Sequence, residues 1–300
     1  MSVFWPIAVC HDRLKSTQSG LSVFSTSDAR RDQLSDYHVD AIVFLKLWAA
    51  KKSYPANIGE DQMKSTPNIL PWKNTPYEME CNLAMGHLLM NLQPRLQVNG
   101  RVHAETYIAA IGAIAGYAAQ RTLFAETPPV VGHNIHRIGM KSGEQYWFGD
   151  ALNNMLIPKA EADGNRCLWS LAVGGALGAG LQPQQLPNLD AMFKHVVSTI
   201  GGANEGRSSV PAQHQAHLAA LDLLKLVWPL ALTCLSGKFP AAKLEIGAAP
   251  VAWWSAIAAQ ASNRPIQDVK QVLPPDIALT LLMESAIYCS KLDQSSIEST

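Results

Sequence analysis

The sequence predicts a mainly α protein: a multi-helix globular domain with one β-hairpin near residues 133–149 and a small α/β layer at its N-terminus. Three observations carry this. Apolar residues recur at helical spacing through most of the chain beyond residue 77, and one short segment alternates with period two around a turn. Apolar residues make up 48% of the chain and charged ones only 16%, so it can bury a large core.

Residues 27–50 read as the first helix, with Ser27 as N-cap and Val39, Ile42, Val43 and Leu47 on one face. Residues 3–9 and 21–26 read as short strands ahead of it. Four prolines and no periodicity between 53 and 76 suggest a connection or an arm. Residues 1–76 are therefore an N-terminal layer or arm before a main helical domain at 77–300, or the whole chain is one domain.

Further helices are expected at 77–90, at 99–124 (starting on Asn99 or Gly100) and at 163–178. The clearest pattern covers 188–200. Leu189, Met192, Phe193, Val196, Val197 and Ile200 fall on one face there, with Asn188 as cap and Gly201-Gly202 as stop. Later helices are expected at 212–228, broken at Pro229, at 241–261 with a break near Pro250, and at 276–291 after Pro274-Pro275. The stretch "HNIHRIGMKSGEQYWFGD" alternates on both sides of "KSGE" and reads as the hairpin.

Glycines four apart, Gly112 with Gly116 and Gly174 with Gly178, mark faces where two helix backbones approach closely. Residues 108–119 carry no charge, so this helix should run through the centre of the domain.

Balanced charge, 24 basic against 24 acidic residues, provides no field for nucleic acid or an acidic membrane surface. The charge-free stretches at 108–120 and 168–182 fall short of the ~20 residues of a spanning helix. Five widely spaced cysteines without Cys-x-x-Cys argue against a disulfide framework or a zinc ribbon. A cytoplasmic protein with no nucleic-acid or membrane partner is expected.

His103-Ala-Glu105 matches the opening of the nucleoside-deaminase zinc site, but the two thiolates that chemistry requires are missing. The plainer reading is a helix start with Arg101 and Glu105 paired at i, i+4. His214 and His217 stand three apart without the glutamate of His-Glu-x-x-His, and read as a solvated first helical turn. His133 and His136 would point to opposite faces of a strand. No metal and no cofactor are expected.

Trp147, Asp150 and Asn153, where strand gives way to helix, are candidate binding residues. Glu284 is a fourth. It belongs to a polar stripe with Asp276, Thr280 and Lys291 on an apolar helix, and is either at the solvent edge or a buried carboxylate with a partner or a function.

The stretches "YWFGDALNNML", "LWSLAVGGA", "FKHVVSTIG" and "MESAIYCSKLD" together resemble a bacterial family of uncharacterised, mainly helical proteins over about residues 81–293. The resemblance implies a bacterial helical protein and assigns no catalytic residue. With no catalytic motif, few charges and eight tryptophans, the expected function is binding or interaction, with self-association into a homo-oligomer and an unspecified small-molecule ligand. The alternative is a hydrolase, metal-assisted or not, with a pocket of His, Glu and Asp in the helical domain.

Overall fold

The computed structural model describes residues 70–126, 135–140, 143–158, 167–239, 244–245 and 247–298, which fall in one compact unit. The expected N-terminal helix and strands, most of the proline-rich stretch, His133 and Cys10 lie outside the described residues. In chain order the elements are α1 (Glu78–Arg95), β1 (Gln97–Val98), β2 (Arg101–Val102), α2 (Ala104–Glu126), β3 (His136–Gly139) and β4 (Gln145–Phe148). There follow α3 (Asp150–Leu156), α4 (Leu168–Gly178), α5 (Leu189–Thr199), α6 (Ala220–Ser236), β5 (Lys238–Phe239), β6 (Leu244–Glu245), α7 (Trp254–Asp268), α8 (Pro275–Cys289) and α9 (Ser295–Glu298). The fold is mainly helical, and the strands form three separate antiparallel pairs.

The axis of the fold is α2, in which every residue from Glu105 to Gln120 is buried. It packs against α6, α7 and α8. By length and composition this helix could cross a membrane, but its apolar surface is covered by the surrounding helices. A Cβ on Gly112 would strike the Leu282 backbone carbonyl, and one on Gly116 the Ala286 carbonyl. The glycines therefore let α2 and α8 touch backbone to backbone, and the propensity cost of ~1 kcal/mol each is offset by packing. At the α4–α7 contact the tightest position is Gly175, against the Asn263 backbone, while Gly174 and Gly178 meet only side chains. The far end of α2 is tied to the end of α8. Gln120 Nε2 donates to the carbonyls of Ser290 (2.8 Å) and Leu292 (2.7 Å), satisfying groups that a helix C-terminus leaves open.

The helix at α5 forms as expected, and the Asn188 side chain accepts from the Ala191 N–H at 2.9 Å. The hairpin also forms, with Arg137 opposite Trp147 and Ile138 opposite Tyr146. Other boundaries are corrected. Asn99-Gly100 does not start a helix: both residues are left-handed (φ 53° and 75°) and turn the β1–β2 hairpin, as Asn-Gly does when strands flank it. The expected helix at 212–228 is a 3-10 turn at Ala212–His214, then extended chain, then α6, which continues through Pro229. Residues 241–261 hold β6 and a 3-10 turn at Val251–Trp253 before α7 begins at Trp254.

Candidate functional site

Between α5 and α6 the chain crosses some twenty residues with almost no regular structure, yet it is firmly held. Gln215 Nε2 donates to the carbonyls of Ser208 (2.7 Å) and Val210 (2.8 Å), and Arg207 Nη1 to the Ala216 carbonyl at 2.8 Å. The His195 ring bonds the Arg207 carbonyl from α5. Three carboxylates anchor this connection to the helical core.

The first is Glu205, on the connection itself. Its Oε1 accepts from the hydroxyls of Tyr146 (2.5 Å) and Tyr288 (2.6 Å), and its Oε2 from the Gly201 N–H at 2.9 Å. Burial and then the adjacent carboxylate push both phenols above their ordinary range, so each stays a donor. The second is Glu284 on α8, whose Oε2 accepts from the Ser209 N–H (2.6 Å) and Oε1 from its hydroxyl (2.7 Å). Burial raises the pKa of this carboxyl and the Ser209 bonds oppose that. The crevice beside it, lined by Val196, Thr199, Arg207, Ser208 and Tyr288, has no room for a water-sized sphere.

The third is Glu105, in the first turn of α2. Its Oε2 lies 3.1 Å from His103 Nε2 and its Oε1 3.0 Å from His214 Nδ1. His103 Nδ1 contacts Thr106 Oγ1 at 2.9 Å, and that oxygen accepts the His217 N–H at 3.0 Å. The His217 ring stacks on His103 with centroids 3.8 Å apart and planes 12° from parallel. An ionised carboxylate only accepts, so both imidazole nitrogens facing it carry protons. His103 is then the Nε2–H tautomer, with the Thr106 hydroxyl donating to its Nδ1. His214 is the Nδ1–H tautomer, which leaves a lone pair on Nε2. Burial holds the His103 ring below its ordinary pKa of 6.5, against the pull of Glu105 and with a push from His217. The Glu105 side chain is 10% exposed and that of His214 23%, so a buried acid orients an imidazole that solvent can reach.

His103 and the His214/His217 pair, which sequence spacing keeps apart, thus meet beside one carboxylate. The expected Arg101–Glu105 pair does not form, because Arg101 sits on β2, outside the helix that would set i, i+4 geometry. His214 ends a 3-10 turn rather than starting a helix and bonds Glu105, while His217 is solvent-exposed as expected and stacks on His103. Among the described residues no group of three or more His, Cys, Asp or Glu is arranged to hold a metal ion.

The four candidate binding residues do not converge. Trp147 is nearly buried, T-stacked on Phe124 at 5.1 Å, and lines an outer concavity. Asp150 is exposed in the first turn of α3. Asn153 is buried and accepts from Lys291 Nζ at 3.3 Å. Glu284 is also buried, so its stripe runs from half-buried Asp276 and Thr280 into the core rather than along the solvent edge. Sequence reading missed Glu205, Tyr146, Tyr288 and Ser209. Only Tyr288 left a trace, one turn after Glu284 on the same helix face. No family model matches the chain, and no curated protein or solved structure is similar to it.

Proposed function

We propose that the chain is a hydrolase in which His214 is the general base and Glu105 orients it. The observation that carries this reading is the Glu105–His214 contact, which presents the unprotonated Nε2 of a solvent-reachable imidazole and backs it with a buried carboxylate. In this reaction Nε2 takes a proton from water while the water oxygen bonds to the electrophilic carbon of an ester or amide. Glu105 stabilises the imidazolium that forms. The tetrahedral adduct collapses, the bond to the leaving group breaks, and His214 returns its proton to that group, so atoms and charge balance. His103 and Thr106 support Glu105 from the other side.

The test is hydrolysis of a panel of nitrophenyl esters and anilides by the unmodified chain, His214→Gln and Glu105→Gln. General-base catalysis contributes about 10²–10⁴-fold, so His214→Gln should lose on the order of a hundredfold in kcat with KM little changed. Equal turnover by the unmodified chain and His214→Gln ends the proposal.

A second reading, self-association, rests on a different observation. Met79 and Met90 are 65% and 71% exposed on α1, eleven residues apart and so on one helix face. Sedimentation should show a dimer that Met79→Lys with Met90→Lys converts to monomer; a strict monomer at high concentration rules this out.

A further inference from the structure

Helix α1 packs against α6 and α7 and buries Cys81, Ala84, Leu88 and Leu92. The outward face of such a helix normally carries charge. Here it carries Met79, Leu83, Gly86 and Met90, at i, i+4, i+7 and i+11, and no Asp, Glu, Lys or Arg stands between Glu80 and Arg95. The two methionines are 65% and 71% exposed, and Leu83 and Gly86 are half-buried. A Cβ on Gly86 would meet nothing within 4 Å, so the glycine is a notch in the row between Leu83 and Met90.

Alternating steps of four and three residues are the seam of paired helices that pack knobs into holes. The steps in this row, four, three and four, read the same from either end. The side chains decide between the two ways of pairing it with a copy of itself. In a parallel pair each residue meets its own copy. Gly86 then faces Gly86 across a void, and the acidic first turns, with Glu78 and Glu80, lie together. In an antiparallel pair the two-fold axis passes midway between Leu83 and Gly86. Leu83 then enters the partner's Gly86 notch, and Met79 meets the partner's Met90. Each acidic first turn lies alongside the partner's last turn, which holds Arg95. Arg95 reaches the Leu226 carbonyl of its own chain at 3.4 Å, and that bond leaves its positive charge in place. The helix dipoles also oppose one another in this arrangement.

We propose that two copies of the chain pair antiparallel through α1, each seating Leu83 in the Gly86 notch of the other. This rests on the self-association reading and adds the orientation and the register. Methionine is unbranched and adapts to its neighbour, which suits the two Met79–Met90 layers that close the seam. From Met79 to Met90 the seam runs about 17 Å along the helix. That is short of what an interface of about 800 Å² per partner requires, so the dimer is reversible and depends on concentration.

The experiment oxidises single-cysteine variants of the full chain in a Cys10→Ser background, where the four other thiols are buried. A disulfide needs Cα atoms within about 7 Å, and in the antiparallel pair like positions are about 17 Å apart along the axis. Met79→Cys alone and Met90→Cys alone should therefore stay uncrosslinked, and an equal mixture of the two should form the disulfide dimer. Gly86→Leu fills its own notch and should raise the dimer dissociation constant in sedimentation about tenfold or more. Its melting temperature in dilute solution should not fall, because nothing stands within 4 Å of its Cβ. Cross-linking of like positions, no gain in the mixture, or a dimer that Gly86→Leu leaves intact overturns the antiparallel pairing. If Met79→Lys with Met90→Lys still breaks that dimer, the self-association reading stands without it. A strict monomer at high concentration overturns both and gives this face to a partner other than a second copy.

Discussion

Glu105 and His214 are 109 residues apart in the chain and 3.0 Å apart in space. The contact joins the buried start of the central helix to a 3-10 turn in the connection between α5 and α6, and it fixes which imidazole nitrogen carries the proton. At neutral pH, ¹⁵N NMR should report His214 as the Nδ1–H tautomer and His103 as Nε2–H. In Glu105→Gln the amide N–H₂ must face one of these donors, so a tautomer should switch and stability should fall by about 1–3 kcal/mol. Finding His214 as Nε2–H in the unmodified chain would show that Glu105 does not orient it.

Burial of the His103 ring, with the His217 ring stacked on it, sets a pH dependence. Folding lowers the His103 pKa, so in the window just below 6.5 the unfolded chain binds the proton and the folded one does not. Stability is therefore full above that window and falls as pH drops through it. The melting temperature should decrease between pH 7.5 and 5.5, and His103→Gln should flatten the decrease. An unchanged slope would place the acid sensitivity elsewhere.

How much of this was legible in the sequence depended on whether the information was local. The α5 cap, the hairpin and the buried α2 helix each follow from residues within one or two turns of one another. Asn99-Gly100 was local but ambiguous, since the same pair suits a helix start or a type I′ turn, and only its strand partners decide. The candidate site was not legible, because its bonds are non-local: Ser209 to Glu284 spans 75 residues, and Tyr288 to Glu205 spans 83. Pro229 sits inside α6 because packing of Val227, Trp228 and Ala231 in the core outweighs one missing backbone bond.

Close approach of α2 and α8 predicts a sharp contrast among glycine substitutions. Gly112→Ala or Gly116→Ala sets a methyl against a backbone carbonyl that cannot rotate away, and should cost about 3 kcal/mol or more. Gly86 lies within α1 with nothing inside 4 Å of an added Cβ, so Gly86→Ala should gain roughly 0.5–1 kcal/mol. Urea denaturation of the three variants measures this, and equal effects would contradict the packing.

Four buried thiols make a kinetic prediction. Burial pushes Cys81 up to about 11 and Cys234 up to about 12, and raises Cys167 and Cys289 as well. Thiolate is the reactive form, so in a Cys10→Ser variant no thiol should react quickly with a disulfide reagent at pH 8. All four should react together on unfolding. Rapid labelling of one thiol in the native protein would reveal local opening of its helix.

Lys291 is fully buried with its Nζ 3.3 Å from Asn153 Oδ1 and 5.3 and 5.8 Å from the ring centres of Phe148 and Phe193. Among the described residues no carboxylate pairs with it, and desolvation lowers it to about 8 from 10.5. Two aromatic faces and one amide oxygen thus stand in for water, and do so incompletely. The folded pKa is below the unfolded one, so the penalty on the ammonium is complete below pH 8 and is relieved as pH rises toward 10.5. That shift corresponds to on the order of 3 kcal/mol. The thiols and phenols that burial keeps protonated in the fold ionise in the unfolded chain over the same range and oppose this gain. It is therefore read as the difference in denaturant midpoint between the unmodified chain and Lys291→Met, which should move in favour of the unmodified chain from pH 8 to 10. Lys291→Met keeps the volume and removes the charge, so it should lack this gain and be at least as stable as the unmodified chain at pH 7. A Lys291→Met protein that is destabilised at pH 7 by an amount that stays constant up to pH 10 would show that the ammonium is better solvated in the core than Asn153 and the two rings allow.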